Sequence, residues 1–317
     1  MTRSPPHMTR RDVLLAGLGC SLALSAPAWA ASDAEATAGQ IVATDLGGGL
    51  ILYGGAGGNV VGLRGADGLL LVDGGLAQHS KALLQAVQEK QGKGPVRYLL
   101  NTHWHVDHTG SNAALGAAGA KIIAHENTKL WMGQEIACAW ENRTYPPQPA
   151  GALPTETFFY DSKQLALGAA QVEYGYLPQA HTDGDIYVRF PAQNLLAAGD
   201  VVTDGRYPVL DYSTNGWLGG MVDALKILID KCDGQTRIVP GSGALRTRAD
   251  MQAQHDMCLA VLKKISDSYY KGQTWAEFIA SKPTAEFDGQ WGNPEVFLST
   301  AYKGAWYHIN EIRRVTR

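Results

Sequence analysis

Cysteine is scarce in this 317-residue chain: four in all, and beyond residue 30 only Cys138, Cys232 and Cys258, widely spaced and with no CxxC pair. Such a set excludes a disulfide framework and a cysteine-based zinc site, and allows one bridge at most. Charge is sparse as well, at 18% of residues with a net of -3. The chain therefore has no basic excess with which to hold nucleic acid, and no nucleic-acid partner is expected. Beyond residue 30 no apolar run is long enough to span a bilayer, and no repeat of solenoid period is visible. What remains, with 45% hydrophobic residues, is a soluble globular protein with a sizeable core.

The first thirty residues differ in character. Residues 9–17 read TRRDVLLAG, a Gly/Ala/Leu-rich stretch runs on to Ala26, and APAWAAS follows. Arg10 and Arg11 before a short apolar stretch, with small residues at Ala28 and Ala30, predict a removable twin-arginine export signal over residues 1–30. The apolar part is short and carries glycines, which argues against a membrane anchor, and Gly17 before Cys20 argues against lipidation. Met8 is an alternative start. The expected partners are the twin-arginine export machinery and a small-molecule substrate, with a periplasmic or secreted destination and no stable membrane insertion after the signal is removed. That route carries folded proteins, which suits a chain that collects a metal beforehand.

From Gln40 to Gly75, apolar runs of four to six residues are separated by Gly- and Asp-rich turns, the pattern of antiparallel strands. Leu83, Leu84 and Val87 then recur at helical spacing within residues 76–91. A strand is expected over residues 96–102, a small-residue helix over 112–118, a strand over 121–124 and a helix from Glu126. Pro146, Pro147, Pro149 and Pro154 make residues 145–154 a loop. Strands follow over 171–177, 185–190 and 194–198, and helices over 217–231, 247–270 and 294–313. Sheet packed on sheet with helices outside is one way to bury all of these.

The densest chemistry lies in NTHWHVDHTG, residues 101–110. His103 and His105 are two apart, so on an extended segment they point the same way. Asp107 and His108, on the turn beyond, reach a second point. Imidazole nitrogen and carboxylate oxygen are the donors zinc and its neighbours prefer.

HWHVDH resembles the HxHxDH signature of the metallo-beta-lactamase superfamily, and LLLVDGG (residues 69–75), HTDGD (181–185) and AAGD (197–200) follow that family's order. The resemblance covers roughly residues 41–245. It implies an α/β (α+β) fold, a four-layer αββα sandwich with metals at one edge, and a domain over residues 38–245 with a helical segment, 246–317, packed on it. Carried over by position, it implies one metal on His103, His105 and His181 and a second on Asp107 and His108, with Asp200 bridging and Asp73 orienting the ligand loops. The expected cofactor is Zn2+, one or two per chain, and the expected reaction is hydrolysis of a small ester, lactone, thioester or amide by metal-activated water. Asp107 is the candidate catalytic residue, orienting that water or taking its proton.

VPGSGAL, residues 239–245, departs from the family pattern. Ser242 stands where family members usually carry a histidine for the second metal, and a neutral hydroxyl is a poor ligand beside imidazole. The second site is therefore expected to bind weakly or to favour Mn2+ or Fe2+, unless His125 or His255 stands in. Ser242 and Cys138 are expected to be bystanders in bond cleavage. Trp131, Trp140, Tyr145, Tyr207, Tyr212 and Trp217 are candidates for substrate walls. A periplasmic beta-lactamase is a narrower version of this reading, although a bridging Asp200 counts against it. The contrasting reading is a non-catalytic metal-binding accessory protein with an eroded second site.

Overall fold

A computed structural model describes residues 40–316; the expected export signal lies outside the described residues. The chain opens with an antiparallel meander, β1 (Val42–Gly47), β2 (Leu50–Gly54), β3 (Val60–Gly65) and β4 (Gly68–Val72). Helix α1 (Ser80–Gln91) crosses over to β5 (Val96–Leu100), which pairs parallel to β4. A four-residue turn of helix, α2 (Val106–Thr109), and α3 (Asn112–Ala117) lead to β6 (Lys121–His125), again parallel. Beyond α4 (Glu126–Met132), a small hairpin of β7 (Ile136–Cys138) and β8 (Arg143–Tyr145) precedes β9 (Glu156–Phe158), which completes a seven-stranded mixed sheet.

The second sheet has five strands: β10 (Ser162–Leu167), β11 (Ala170–Tyr176), β12 (Ile186–Phe190), β13 (Leu195–Ala197) and β14 (Arg237–Val239). Its first four strands are antiparallel and β14 joins parallel to β13. Between β13 and β14 runs α5 (Leu218–Asp230). The chain ends in α6 (Arg248–Tyr270), α7 (Trp275–Ala280), α8 (Asp288–Trp291), α9 (Glu295–Tyr307) and α10 (Ile312–Thr316). The helix expected over 294–313 is thus two helices, with a break after Tyr307 where residues 308–311 form turns. Among the described residues no helix is long and apolar enough to cross a membrane.

Burial explains the layering. Leu52, Val61, Leu63, Leu70, Val72 and Leu100 of the first sheet meet Val172, Ile186, Val188, Phe190 and Val239 of the second in one apolar cluster. Leu69, Leu71, Leu99 and Ile122 face the other way, onto Leu83 and Val87 of α1 and Leu115 of α3. Tyr187 and Leu196, on the outer face of the second sheet, pack under α5, α6 and α9 through Leu225, Leu228, Val261, Leu262 and Ala301. Each fully buried Leu or Val adds roughly 1.5–3 kcal/mol, so strand alternation alone drives helix, sheet, sheet and helix into four layers.

The parallel pairings decide where the chemistry gathers. Because β4 and β5 run together, the residues after them, Asp73 and Asn101–Asp107, emerge at the same end. The same holds for β13 and β14, which deliver Asp200 and Gly241–Ser242. Two contacts tie these ends together: the Ile186 amide donates to the Thr102 carbonyl at 2.8 Å, and the Asn59 amide to that of Gly241 at 2.7 Å.

Candidate metal centre

Four imidazoles converge at this edge, and each is aimed by a hydrogen bond that its outer nitrogen donates. His181 donates from Nδ1 to the Val209 carbonyl at 2.8 Å. His105 donates from Nε2 to Asp211 Oδ2 at 3.2 Å. His108 donates from Nδ1 to Asp73 Oδ2 at 2.8 Å, and His103 from Nδ1 to Thr102 Oγ1 at 3.1 Å. Thr102 Oγ1 passes its own proton to Asp73 Oδ2 at 2.8 Å, and its amide donates to Oδ1 at 2.7 Å. One buried carboxylate, Asp73, therefore anchors both the His103 and the His108 side. It does so from a left-handed backbone, at φ 63°, a conformation that costs an Asp less than most residues.

With those tautomers the inner nitrogens carry lone pairs. His105 Nδ1 and His181 Nε2 lie 3.1 Å apart, a pair that must share either a proton or a bound cation. His103 Nε2 and His108 Nε2 are buried with no hydrogen-bond partner. Leaving such groups unpaired costs free energy unless an ion takes them up. The donor atoms of His103, His105, His181 and Asp200 all lie within 4.8 Å of one another, so the residues fit a bound divalent metal.

Asp200 stands between two donor groups. Its Oδ2 is 3.7 Å from His103 Nε2 and 3.6 Å from His181 Nε2, while Oδ1 is 3.4 Å from His108 Nε2. Asp107 Oδ2 lies 3.6 Å from the same His108 nitrogen, on a side chain 39% exposed. One carboxylate thus faces the three-histidine set with one oxygen and the Asp107/His108 pair with the other. Asp107 is the more open of the two carboxylates, since Asp200 is 30% exposed.

The electrostatics follow this division. Burial opposes ionisation of Asp200, but His108, His103 and His181 outweigh it and hold the carboxyl well below its usual range. Burial also disfavours charged His108, yet Asp107, Asp73 and Asp200 raise it well above an ordinary imidazole. His103 is pushed well down by burial and by its neighbours His108 and His105. His181 is lowered by burial and His105. At neutral pH, then, His103 and His181 stay neutral, while the acids around His105 and His108 favour a positive charge there, supplied by a proton or, in its place, by a bound metal.

Asp211 has no counterpart in the sequence reading. Burial resists its charge, but the bond from His105, with others from Thr214 and Trp140, keeps it ionised far below the usual range. Trp140 Nε1 donates to Asp211 Oδ1 at 3.0 Å and Thr214 Oγ1 to Oδ2 at 2.6 Å. Trp140 is therefore a support for His105. Gly241 was also missed: a Cβ there would lie 1.7 Å from Asp200 Oδ1. Gly241→Ala is expected to push Asp200 out of line and weaken metal binding about 10- to 100-fold; metal titration of the folded variant checks this.

The other sequence candidates lie elsewhere. His125 caps α4, stacks on Tyr176 and bonds the Phe159 carbonyl, and His255 sits on α6 against Asp256. Neither stands in for the missing ligand at Ser242. Tyr145 and Tyr207 are each 8% exposed, the first packed on Trp104 and bonded to Glu141, the second stacked on Phe297 and bonded to Asp288. Both rings are packed into buried clusters and do not line an open surface. Trp131 donates to Asp183, and Trp217 is buried against His308. Tyr212 lines a cavity of about 380 Å³ with Tyr269, Tyr302, Lys303, Trp306 and Tyr307. Cys138, Cys232 and Cys258 are unpaired, and burial pushes the Cys138 thiol up, away from reactivity.

Comparison with known proteins adds independent findings. Residues 53–250, more than half of the chain, match the family model described as Metallo-beta-lactamase superfamily. The chain is 26% identical over 164 residues to 2,4-dinitroanisole O-demethylase subunit alpha of Nocardioides sp. (strain JS1661), a match covering 49% of this chain and 45% of that one. It is 27% identical over 182 residues to a metallo-beta-lactamase type 2 of Bacillus sp. (strain 170), covering 57% and 65%. The chain therefore spans less than two thirds of either relative. Among solved structures, the stereoselective inverting sec-alkylsulfatase from Pseudomonas sp. superposes at TM-score 0.66 and 16% identity over 83% of this chain and 50% of that one. A metallo-beta-lactamase from Pontibacter korlensis does so at 0.57 and 21% identity, over 69% and 99%. At such identities the structural likeness is one of fold.

Proposed function

The chain belongs to the metallo-beta-lactamase superfamily, and from that premise we propose that it is a metal-dependent hydrolase of a small ester, lactone, thioester or amide. The observation that carries this reading is the pair of buried, unpartnered nitrogens, His103 Nε2 and His108 Nε2, on either side of Asp200. His103, His105 and His181 would hold the first metal, zinc by the chemistry of three imidazoles, with Asp200 beside it. Asp107 and His108, sharing Asp200, would hold a second, weaker one. When bound, the metal supplies Lewis acidity for water activation and for the charge developing on the substrate.

The protein's own groups do the rest. Asp211 and Trp140 fix the His105 ring, so that its inner nitrogen does not swing away from His181. Asp73 and Thr102 fix His103 and His108 together. Asp107, the exposed carboxylate, can accept a proton from water on the open face and return it to a leaving group. No serine or cysteine nucleophile is needed. Export to the periplasm or beyond belongs to the same proposal, and rests on residues 9–30.

The names of the relatives, a lactamase, a demethylase subunit and an alkylsulfatase, span several bond types, so they favour the reaction class over any one substrate. The test joins chelation to a panel of an aryl ester, a lactone, a thioester and a chromogenic cephalosporin. Chelation is expected to abolish turnover and added Zn2+ to restore it, with the ester or lactone preferred to the cephalosporin. Turnover that survives complete metal removal overturns the proposal. A metal-replete protein that cleaves nothing, with His103→Ala changing stability alone, favours the accessory-protein reading instead.

A further inference from the structure

The C-terminal helices close a concavity that the metal chemistry does not use. It holds about 380 Å³ and is lined by Tyr212, Tyr269, Tyr302, Lys303, Trp306 and Tyr307, a volume within the range of small-molecule sites. Five of these six residues are aromatic. Their rings are set at steep angles: Tyr269 meets Tyr302 at 4.7 Å and 63°, and Trp306 at 5.7 Å and 79°. Such a wall offers both faces and edges to a planar guest. Two of the tyrosines are pinned, since the Tyr269 hydroxyl donates to the Tyr302 carbonyl and the Tyr302 hydroxyl to the Gln273 carbonyl. The hydroxyls of Tyr212 and Tyr307 have no hydrogen-bond partner among the described residues, and burial keeps the Tyr212 phenol protonated.

Lys303 is the one charged side chain in this lining. Its Nζ stands 5.9 Å from the centre of the Tyr212 ring, and among the described residues it has no carboxylate partner. A cation over an aromatic wall, with no acid to neutralise it, complements an anionic group on a ring-bearing molecule. One ammonium and two phenol donors match the single charge and two oxygens of a carboxylate.

The concavity is set apart from the metal edge. Tyr212 opens the short helical turn Tyr212–Thr214, directly after Asp211, which takes the bond from the outer nitrogen of His105. That turn therefore lies behind the ligand and not over its metal-facing nitrogen. Its other neighbour is α9: a Cβ built on Gly304 would lie 3.6 Å from Tyr212 Cβ and 3.3 Å from the Gly216 carbonyl. Asp211 and Tyr212 thus serve different neighbours from one loop, the first a metal ligand and the second the helical layer.

We propose that this concavity is a binding site for a small aromatic carboxylate, its planar part packed on Tyr269 and Trp306 and its charge paired with Lys303. The inference stands on Tyr212 and the C-terminal helices, and does not depend on the metal centre or on hydrolysis.

Isothermal titration calorimetry with 2-naphthoate tests this, beside the uncharged 2-naphthamide and the non-aromatic cyclohexanecarboxylate. Wild type is expected to bind one 2-naphthoate per chain, about 5-fold or more tightly than either analogue. Trp306 is 62% exposed and Lys303 is exposed, so both positions should tolerate substitution, which thermal unfolding checks. K303Q should weaken 2-naphthoate about 5-fold and leave 2-naphthamide unchanged, while K303R should bind as wild type does. W306A should weaken both naphthyl probes by about 5-fold. No binding of 2-naphthoate at millimolar concentration overturns the inference, as does equal affinity for cyclohexanecarboxylate. A carboxylate taken by the metal centre would bind K303Q as it binds wild type, so unchanged affinity in that variant overturns it too. Failure of the hydrolase reading moves none of these measurements.

Discussion

Asp200→Asn is expected to lower kcat/KM by about 1,000-fold or more, some 4 kcal/mol of barrier, while leaving the fold in place. Each Asp200 oxygen faces a different donor group, Oδ2 toward His103 and His181 and Oδ1 toward His108. Asparagine keeps the shape and one acceptor but turns an amide N–H toward lone pairs that want a cation. It also removes the only carboxylate charge among the four donors His103, His105, His181 and Asp200. Metal content should fall with activity, the second metal first and the first partially. Steady-state kinetics and metal stoichiometry on the same preparation check this. Full activity in Asp200→Asn would mean that the two donor groups work independently and that Asp200 bridges nothing.

How much of this was legible from sequence depends on distance along the chain. HWHVDH packs its information into six residues, and the structure brings all four polar members to one edge because β5 ends just before them. Helices with strong local signals were readable too: Thr247 and Asp250 form a reciprocal cap at the start of α6, as the pattern of a capping residue followed by an acid suggests. Strands β9 and β14 have three residues each, too few for alternation to show, and they exist because a neighbouring strand offers them a partner. β10 is largely exposed, so hydrophobicity gives no signal there.

The same reasoning explains what the sequence left unread at the site. Asp211 is one acid in a loop, and its role arises only when His105, more than a hundred residues earlier, arrives beside it. The tyrosines expected as substrate walls carry the same residue type as wall or core, and only packing decides between them. Tyr207 faces Phe297 and Asp288, both in the C-terminal helices, which no local pattern connects to it. Ser242 was visible as an anomaly, but its hydrogen bond from Arg206 was not, because Arg206 sits 36 positions away.

Asp73→Ala is expected to be the most destabilising change at the site, by roughly 3–5 kcal/mol in thermal or denaturant unfolding, as for removal of one partner from a buried charged pair. Its carboxylate accepts three hydrogen bonds: from the Thr102 amide, from Thr102 Oγ1 and from His108 Nδ1. Alanine strands those donors in a place where Thr102 is 2% exposed and His108 fully buried. The loss also propagates along the relay. Without Asp73 the Thr102 hydroxyl is free to turn, and His103 Nδ1 loses a fixed acceptor. His108 is meanwhile freed to take its other tautomer and to withdraw Nε2 as a ligand. Metal affinity should then drop about 10- to 100-fold at both donor groups, a joint loss that no single-ligand variant would give. Asp73→Asn separates the two effects: asparagine tolerates the left-handed backbone, so strain is matched while charge is lost. If Asn restores stability and leaves metal binding weak, the carboxylate acts through charge and tautomer; if Asn restores both, its role is packing and backbone alone.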